Sequence, residues 1–310
     1  MLLFYADHFV LPLPPEHRFP MDKYRRLRER LMASGHFAAA DFREPPAASD
    51  VQLGRAHDAD YIRRVSEGAL STAEVRRIGF PWTPAMVERS RRSSGATIEA
   101  ARAALRGHRC AANLAGGTHH AHYDFGSGFC VFNDSAVAAR AMQAEEGVGQ
   151  IAVIDCDVHQ GDGTAAILGA DASIFTFSMH GAKNFPANKQ QSDLDIELDD
   201  GCDDTAYLDA LQRGLDTVFT RCRPELILYL AGADPYSGDR LGRLGVSKAG
   251  LRQRDEIVMQ RCLGEGVPLS IAMAGGYADE IDDIVDIHAT TVLTAAAMFD
   301  GHSRAEPAST

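Results

Sequence analysis

The residues best suited to chemistry gather in one run, Asp155-Cys156-Asp157-Val158-His159-Gln160-Gly161-Asp162-Gly163. Three carboxylates and an imidazole crowd together directly behind the apolar stretch Ile151-Ala152-Val153-Ile154. Alternate side chains of an extended segment point the same way, so Asp155, Asp157 and His159 share one face at the end of a strand. Carboxylates of one sign in a low-dielectric interior resist ionisation unless a cation offsets them. Aspartate and histidine at this spacing suit zinc or ferrous iron. The competing reading is a solvated acidic turn, and the buried-looking strand in front of the run speaks against it.

Other polar sets also follow apolar runs. Gly116-Gly117-Thr118-His119-His120 follows residues 110–114, and Ser178-Met179-His180 follows residues 173–177. Gly232-Ala233-Asp234-Pro235 follows residues 226–230, and Gly275-Gly276-Tyr277 follows residues 269–272. With residues 2–5 and 151–154, these runs are the strand candidates. Those at 151–154 and 226–230 are apolar without alternation, as in strands covered on both faces. Helical patterns lie between them, at Tyr24, Leu27 and Leu31 and over residues 84–105, 206–221, 248–263 and 282–298. Strands alternating with helices predict an α/β domain whose mainly parallel central sheet is flanked by helices on both faces. Ligands bind such sheets at the carboxyl ends of the strands, so five ends carrying His, Asp or Tyr point to one pocket. Alone, paired histidines are ordinary polar residues, Gly-Gly-Tyr is a turn, and an aspartate after a strand is often a helix cap. Their coincidence at one sheet edge favours a site.

Composition sets the frame. A chain of 310 residues with 45% hydrophobic and 24% charged residues can bury a sizeable core. Net charge is −12, which argues against nucleic acid or an anionic membrane surface as the main partner. An acidic chain would suit a cationic partner, such as a lysine-rich tail or a polyamine. The cysteines Cys110, Cys130, Cys156, Cys202, Cys222 and Cys262 contain no C-x-x-C pair and read as free thiols of a reducing compartment. Met1-Leu2-Leu3-Phe4-Tyr5 is too short for a secretory h-region, and no apolar run reaches a membrane span. The expectation is a cytoplasmic protein with one domain over residues 1–300 and a flexible tail at 301–310. The oligomeric state is not legible.

The ordered segments Gly116-Gly117-Thr118-His119-His120-Ala121, Ser127-Gly128-Phe129-Cys130-Val131-Phe132-Asn133-Asp134, the Asp155–Gly163 run, Gly232-Ala233-Asp234-Pro235 and Gly275-Gly276-Tyr277 resemble the zinc-dependent histone deacetylase family. The resemblance spans about residues 17–297 and implies the arginase/deacetylase fold, with about eight strands in its sheet. Asp7-His8, His17-Arg18-Phe19-Pro20-Met21 and Ile78-Gly79-Phe80-Pro81-Trp82 look most like class IV and bacterial class IV-like members. It implies one catalytic Zn2+ held by Asp157, His159 and Asp234. His119 and His120 would handle protons, oriented by Asp155 and Asp162, and Tyr277 would polarise the amide carbonyl. It further implies a structural K+ near Asp155, Asp157, His159, Ser178 and Met179. Gly128, Phe129, Phe185 and Leu241 would line the substrate tunnel, and Arg18 an internal cavity below the zinc. The reaction would be removal of acetyl or longer acyl groups from N-acyl-lysine in a protein or peptide. Alternatives are deacetylation of an acetylpolyamine or another small N-acyl amine, and a non-catalytic acyl-lysine binder.

The chain departs from the family pattern in places. The rim loop Gly79-Phe80-Pro81-Trp82 lacks the aspartate that grips a substrate backbone. Leu241 occupies the gatekeeper position where polyamine deacetylases of the family carry an acid, although Asp239 lies close by. Gln160 replaces the second histidine of the usual pair after the metal-binding one.

Overall fold

In a computed structural model, residues 1–14 and 16–300 are described; the tail expected at 301–310 lies outside them. Eight strands form one sheet: β1 Leu2–Phe4, β2 Phe42–Arg43, β3 Cys110–Asn113, β4 Ile151–Asp155, β5 Ile174–Gly181, β6 Leu194–Leu198, β7 Leu226–Leu230 and β8 Leu269–Ala272. Their order is β2-β1-β3-β8-β7-β4-β5-β6, and every pairing is parallel. The helices are α1 Lys23–Ala33, α2 Asp50–Leu53, α3 Ala59–Glu67, α4 Thr72–Ile78, α5 Pro84–Ala103, α6 Asp134–Glu146, α7 Asp162–Leu168, α8 Asp204–Arg221, α9 Lys248–Glu265 and α10 Ile281–Asp300.

The apolar runs divide their side chains between two cores. Ile151 and Val153 of β4, with Leu226, Leu228 and Leu230 of β7, pack on one face against α3, α5 and α6. Ala152, Ile154, Ile227 and Tyr229 pack on the other against α1, α8, α9 and α10. Both faces of these strands are therefore dry, and each large aliphatic side chain buried here contributes about 1.5–3 kcal/mol. Helix starts follow local chemistry. Thr83 accepts a hydrogen bond from the Met86 amide (3.0 Å) in front of Pro84 at the first turn of α5. Asp203 accepts from the Ala206 amide (3.0 Å) at the start of α8.

All six strand candidates form. Two strands escape the apolar-run criterion. β2 has only two residues, and β6 reads Leu-Asp-Ile-Glu-Leu on a half-solvated sheet edge. Ser178, Met179 and His180 do not follow their strand, as the sequence suggested, but belong to β5, which runs on to Gly181. The consequence for function lies in the strand order. The five strands whose ends carry the polar sets, β3, β8, β7, β4 and β5, are consecutive in the sheet.

Candidate active site

Asp157 and His159 leave the end of β4, and Asp234 leaves the end of the neighbouring β7. All three are buried, and one donor atom from each lies within 4.8 Å of the others. His159 Nδ1 stands 3.0 Å from Asp157 Oδ1 and 3.3 Å from Asp234 Oδ2. The backbone braces the carboxylates: the Gly275 amide donates to Asp157 Oδ2 (2.7 Å) and the Val158 amide to Asp234 Oδ1 (2.9 Å). Asp234 Oδ2 is buried and, beyond the loose 3.3 Å approach of His159 Nδ1, makes no well-formed hydrogen bond. Such an orphaned anionic oxygen is costly unless a cation meets it. Gly275 leaves room for this arrangement, since a Cβ there would lie 1.8 Å from Asp234 Oδ2 and 2.6 Å from Asp157 Oδ2. Two carboxylate oxygens and one imidazole nitrogen fit zinc, with a further position left for water or substrate.

The electrostatics point the same way. Burial raises Asp234 to about 7, and the Asp157 charge pushes in the same direction. Burial disfavours a proton on His159, yet Asp157 and Asp234 outweigh it and raise the imidazole to about 10. The centre demands positive charge, as a proton or as a metal ion.

His119 and His120 sit beside this centre, their rings 4.1 Å apart. His119 Nδ1 lies 2.6 Å from Asp155 Oδ2, and His120 Nδ1 lies 2.6 Å from Asp162 Oδ1. Burial alone would lower His119, but Asp155 and Asp157 raise it to about 9. Burial, reinforced by the neighbouring His119, pushes His120 down to about 4. A cation that takes up the Asp157 charge removes part of the lift on His119. With each Nδ1 engaged by a carboxylate, Nε2 of His120 is left for proton transfer, while Nε2 of His119 stands 3.8 Å from Asp157 Oδ1.

The two-histidine loop is held by residues to which the sequence reading gave no role. Asp134 accepts from the Gly117 amide (3.0 Å), the Thr118 amide (2.7 Å) and Thr118 Oγ1 (2.8 Å). Asn133 donates to Ala121 O (3.1 Å) while its own oxygen caps α6 through the Ala136 amide. His122 shares Asp162 with His120 (Nε2 to Oδ2, 3.1 Å) and stacks on Phe125. His122 carried no signal of its own, because the contact joins positions forty residues apart.

Tyr277 follows β8 and lies edge-on to His159. Its backbone is clamped from both sides: the Tyr277 amide donates to Asp239 Oδ2 (2.5 Å), and Arg240 Nε donates to Tyr277 O (2.8 Å). Asp239 also accepts from the Leu241 (2.8 Å) and Gly242 (2.9 Å) amides. Both its oxygens are thus engaged by the chain itself.

A cleft of ≈ 930 Å³ opens above these groups, and His120, His159 and Tyr277 reach into it. Gly128, Phe129, Phe185 and Leu241 all line it. Phe185 meets His120 edge to face, with centroids 4.8 Å apart. Phe129 adopts φ 66°, a left-handed conformation costly for an aromatic residue, and its amide is held by Ile78 O (2.7 Å). Arg18 is misplaced in the sequence reading. It stands at the outer mouth of this cleft, whereas the small cavity beside Asp157, His119 and Tyr277 is lined on that side by Phe19 and Tyr24. Register pairs Asp155 with Ser178 on adjacent strands, and Ser178 Oγ is 2.9 Å from His180 Nδ1. Gln160 turns away from the centre and donates to Asp195 Oδ1 (2.9 Å) and Gln190 O (2.7 Å).

Comparison with known proteins decides the family. The model of the histone deacetylase domain matches residues 17–292. The chain belongs to the histone deacetylase family. An uncharacterized protein of Picosynechococcus is 43% identical over 284 residues, covering 92% of this chain and 94% of its own. A histone deacetylase-like amidohydrolase of Pseudomonas aeruginosa is 32% identical, over 86% and 74% of the two chains. Among solved structures, the HDA15 HD domain superposes with a TM-score of 0.80 at 19% identity, over 98% of this chain and 92% of that one. This histone deacetylase family member is accordingly a deacetylase, an amidohydrolase built on a parallel sheet. Among its described residues, no helix is long and apolar enough to cross a membrane.

Proposed function

We propose that the chain is a zinc-dependent N-acyl-lysine deacylase that works through metal-activated water. The observation that carries this reading is the buried Asp157, His159 and Asp234 centre at the foot of a cleft that His120 and Tyr277 also enter. When bound there, zinc supplies Lewis-acid polarisation of the acyl carbonyl and lowers the pKa of water. Every other step belongs to side chains. His120 takes the proton from the attacking water through Nε2, because Asp162 holds its Nδ1, and returns that proton to the leaving amine. His119, paired with Asp155, sets the local charge and holds a second proton. The Tyr277 hydroxyl donates to the oxyanion of the tetrahedral intermediate. The Tyr277 backbone clamps, through Asp239 and Arg240, set its position.

The aliphatic stem of the substrate lies between Phe129 and Phe185, where each buried methylene contributes about 0.8 kcal/mol. We favour acyl-lysine over acetylpolyamine because Leu241 lines the cleft and Asp239 is engaged by three backbone amides. Neither offers a free carboxylate to a secondary ammonium. A structural K+ beside Asp155, Asp157, His159, Ser178 and Met179 and a class IV-like placement belong to the same reading. The His17 and Gly79 segments quoted for that placement touch, His17 Nε2 lying 2.9 Å from Gly79 O. The free thiols of Cys130, Cys156, Cys202, Cys222 and Cys262 favour a reducing cytoplasm. The test is acid release from lysine peptides bearing acyl chains of increasing length, with acetylputrescine in parallel. Turnover of acetylputrescine alone would overturn the substrate assignment. Tight binding of acyl-lysine without acid release would make the protein a binder.

A further inference from the structure

The mouth of the cleft contradicts the charge of the whole chain. Acidic residues outnumber basic ones, 43 to 31. The cleft nevertheless takes six of those basic residues into its lining, Arg18, Arg76, Arg77, Lys183, Arg240 and Arg243, and one acid, Asp200. Asp200 is divided between Arg243 (3.2 Å) and Lys183 (3.5 Å), and Arg240 reaches Asp279 (3.3 Å). Among the described residues, no carboxylate pairs with Arg18, Arg76 or Arg77, all of them exposed. Arg77 rests its guanidinium on the Phe125 ring, 4.7 Å from the centroid. The nearest acid on their own helix, Glu74, does not neutralise them. It caps α4 through Ser71 and pairs with Arg64.

Arg76 and Arg77 close the last turn of α4, Arg18 comes from the N-terminal loop, and Arg240 from the loop that clamps Tyr277. Cations from separate segments thus converge on one opening. In a low-dielectric cleft, field lines of one sign concentrate and draw in ligands of opposite sign.

Building on the deacylase reading above, we infer that the rim selects acyl-lysine flanked by acidic side chains, and that lysine-rich tails and polyamines are disfavoured substrates. The scissile amide enters the cleft, while carboxylates on neighbouring residues of the peptide lie over Arg18, Arg76 and Arg77. Guanidinium groups suit this task because they bind carboxylates in bidentate fashion and remain charged at all working pH values. This reverses the expectation drawn from net charge, because the recognition field is local and the −12 is spread over the rest of the surface.

The test compares three acetyl-lysine peptides with aspartate, serine or arginine flanks. At low ionic strength, kcat/KM for the aspartate peptide should exceed that for the arginine peptide about tenfold, and the difference should vanish near ~1 M salt. In the double variant Arg76→Glu/Arg77→Glu the ratio should fall to one or invert. Arg18→Glu, on another segment, should move it in the same direction. Fluorescence anisotropy of the labelled, unacylated peptides reads the same ranking without turnover. Equal treatment of the three peptides by the wild type, preference for the arginine peptide, or acid preference unchanged in the double variant would overturn the inference. An uncharged acetyl-lysine amide separates the two questions. If it releases no acetate, the deacylase reading fails, while the anisotropy ranking still decides the rim.

Discussion

Replacing Gly275 with alanine inserts one methyl group into the tightest part of the site. The new Cβ would lie 1.8 Å from Asp234 Oδ2 and 2.6 Å from Asp157 Oδ2, whereas contacts under 3.0 Å essentially never occur. The Asp234 carboxylate must therefore retreat by at least about 1.2 Å, several times the ~0.2 Å tolerance of a metal–ligand distance. Asp234 cannot yield without losing its bond from the Val158 amide, and Asp157 is fixed by the Gly275 amide itself. We expect zinc affinity to drop by at least ~100-fold, beyond the loss seen when only outer partners of a ligand change. Overpacking should cost a further ~1–3 kcal/mol of stability. Gly264→Ala is the matched control. It adds the same methyl group near the end of α9, where nothing lies within 4 Å, and should stabilise by about 0.4–1 kcal/mol. Metal content after dialysis, by elemental analysis, and thermal melting report the two effects. A Gly275→Ala protein that folds and retains stoichiometric zinc at wild-type affinity would refute the cradle.

Tyr277→Phe keeps the ring packing against Phe19 and Phe129 and removes only the hydroxyl, so kcat should fall ~10²- to 10³-fold with KM little changed; steady-state kinetics showing near-normal kcat would exclude the oxyanion role. Asp162→Asn should disturb the Nδ1 contact that orients His120 and cost ~10²- to 10⁴-fold in kcat while leaving zinc in place, which activity and metal analysis on one preparation can check. His57, away from the metal ligands, should make stability depend on pH: its Nδ1 donates to His122 O (2.9 Å), its Nε2 accepts from the Asn133 amide (2.9 Å), and burial lowers it to about 4. Because the unfolded chain protonates at higher pH than the folded one, this contribution is complete above about pH 6.5 and is lost as pH falls towards 4, by up to about 3 kcal/mol. Denaturant unfolding at several pH values should show a shallower acid slope in His57→Gln than in the wild type, and identical slopes would remove His57 from the explanation.

Much of this architecture was legible because its signals were strong and local. Continuous apolar runs at 151–154 and 226–230 became central strands with both faces buried, and the polar residues behind them met at one edge. Asp155 closes β4, whereas Asp157 and His159 lie in the bend just beyond it, so the three meet at the strand end by the turn of the chain and not by the extended alternation that the sequence suggested. What escaped the sequence is non-local or short. β2 and β6 are edge strands whose pairing partners supply the order that their own composition does not. Helix α6 is alanine-rich and buried nearly all round, so it lacks an amphipathic stripe. His122 matters through a contact made across loops, and Asn133 adds such a contact to its local capping of α6. Arg18 was placed in the wrong cavity because spacing along a loop does not fix the direction of a long side chain. Net charge suggested a cationic partner because a sum over the chain carries no information on where the charges lie.

The most direct test of the metal centre is a zinc titration of chelator-treated protein, scored by acetate released from an acetyl-lysine peptide. Acetate release should be absent without metal, rise linearly with zinc and saturate at one equivalent, and Asp157→Ala should bind no zinc and show no activity. Full activity in metal-free protein, or stoichiometric zinc retained by Asp157→Ala, would contradict the assignment of Asp157, His159 and Asp234 as the catalytic ligands.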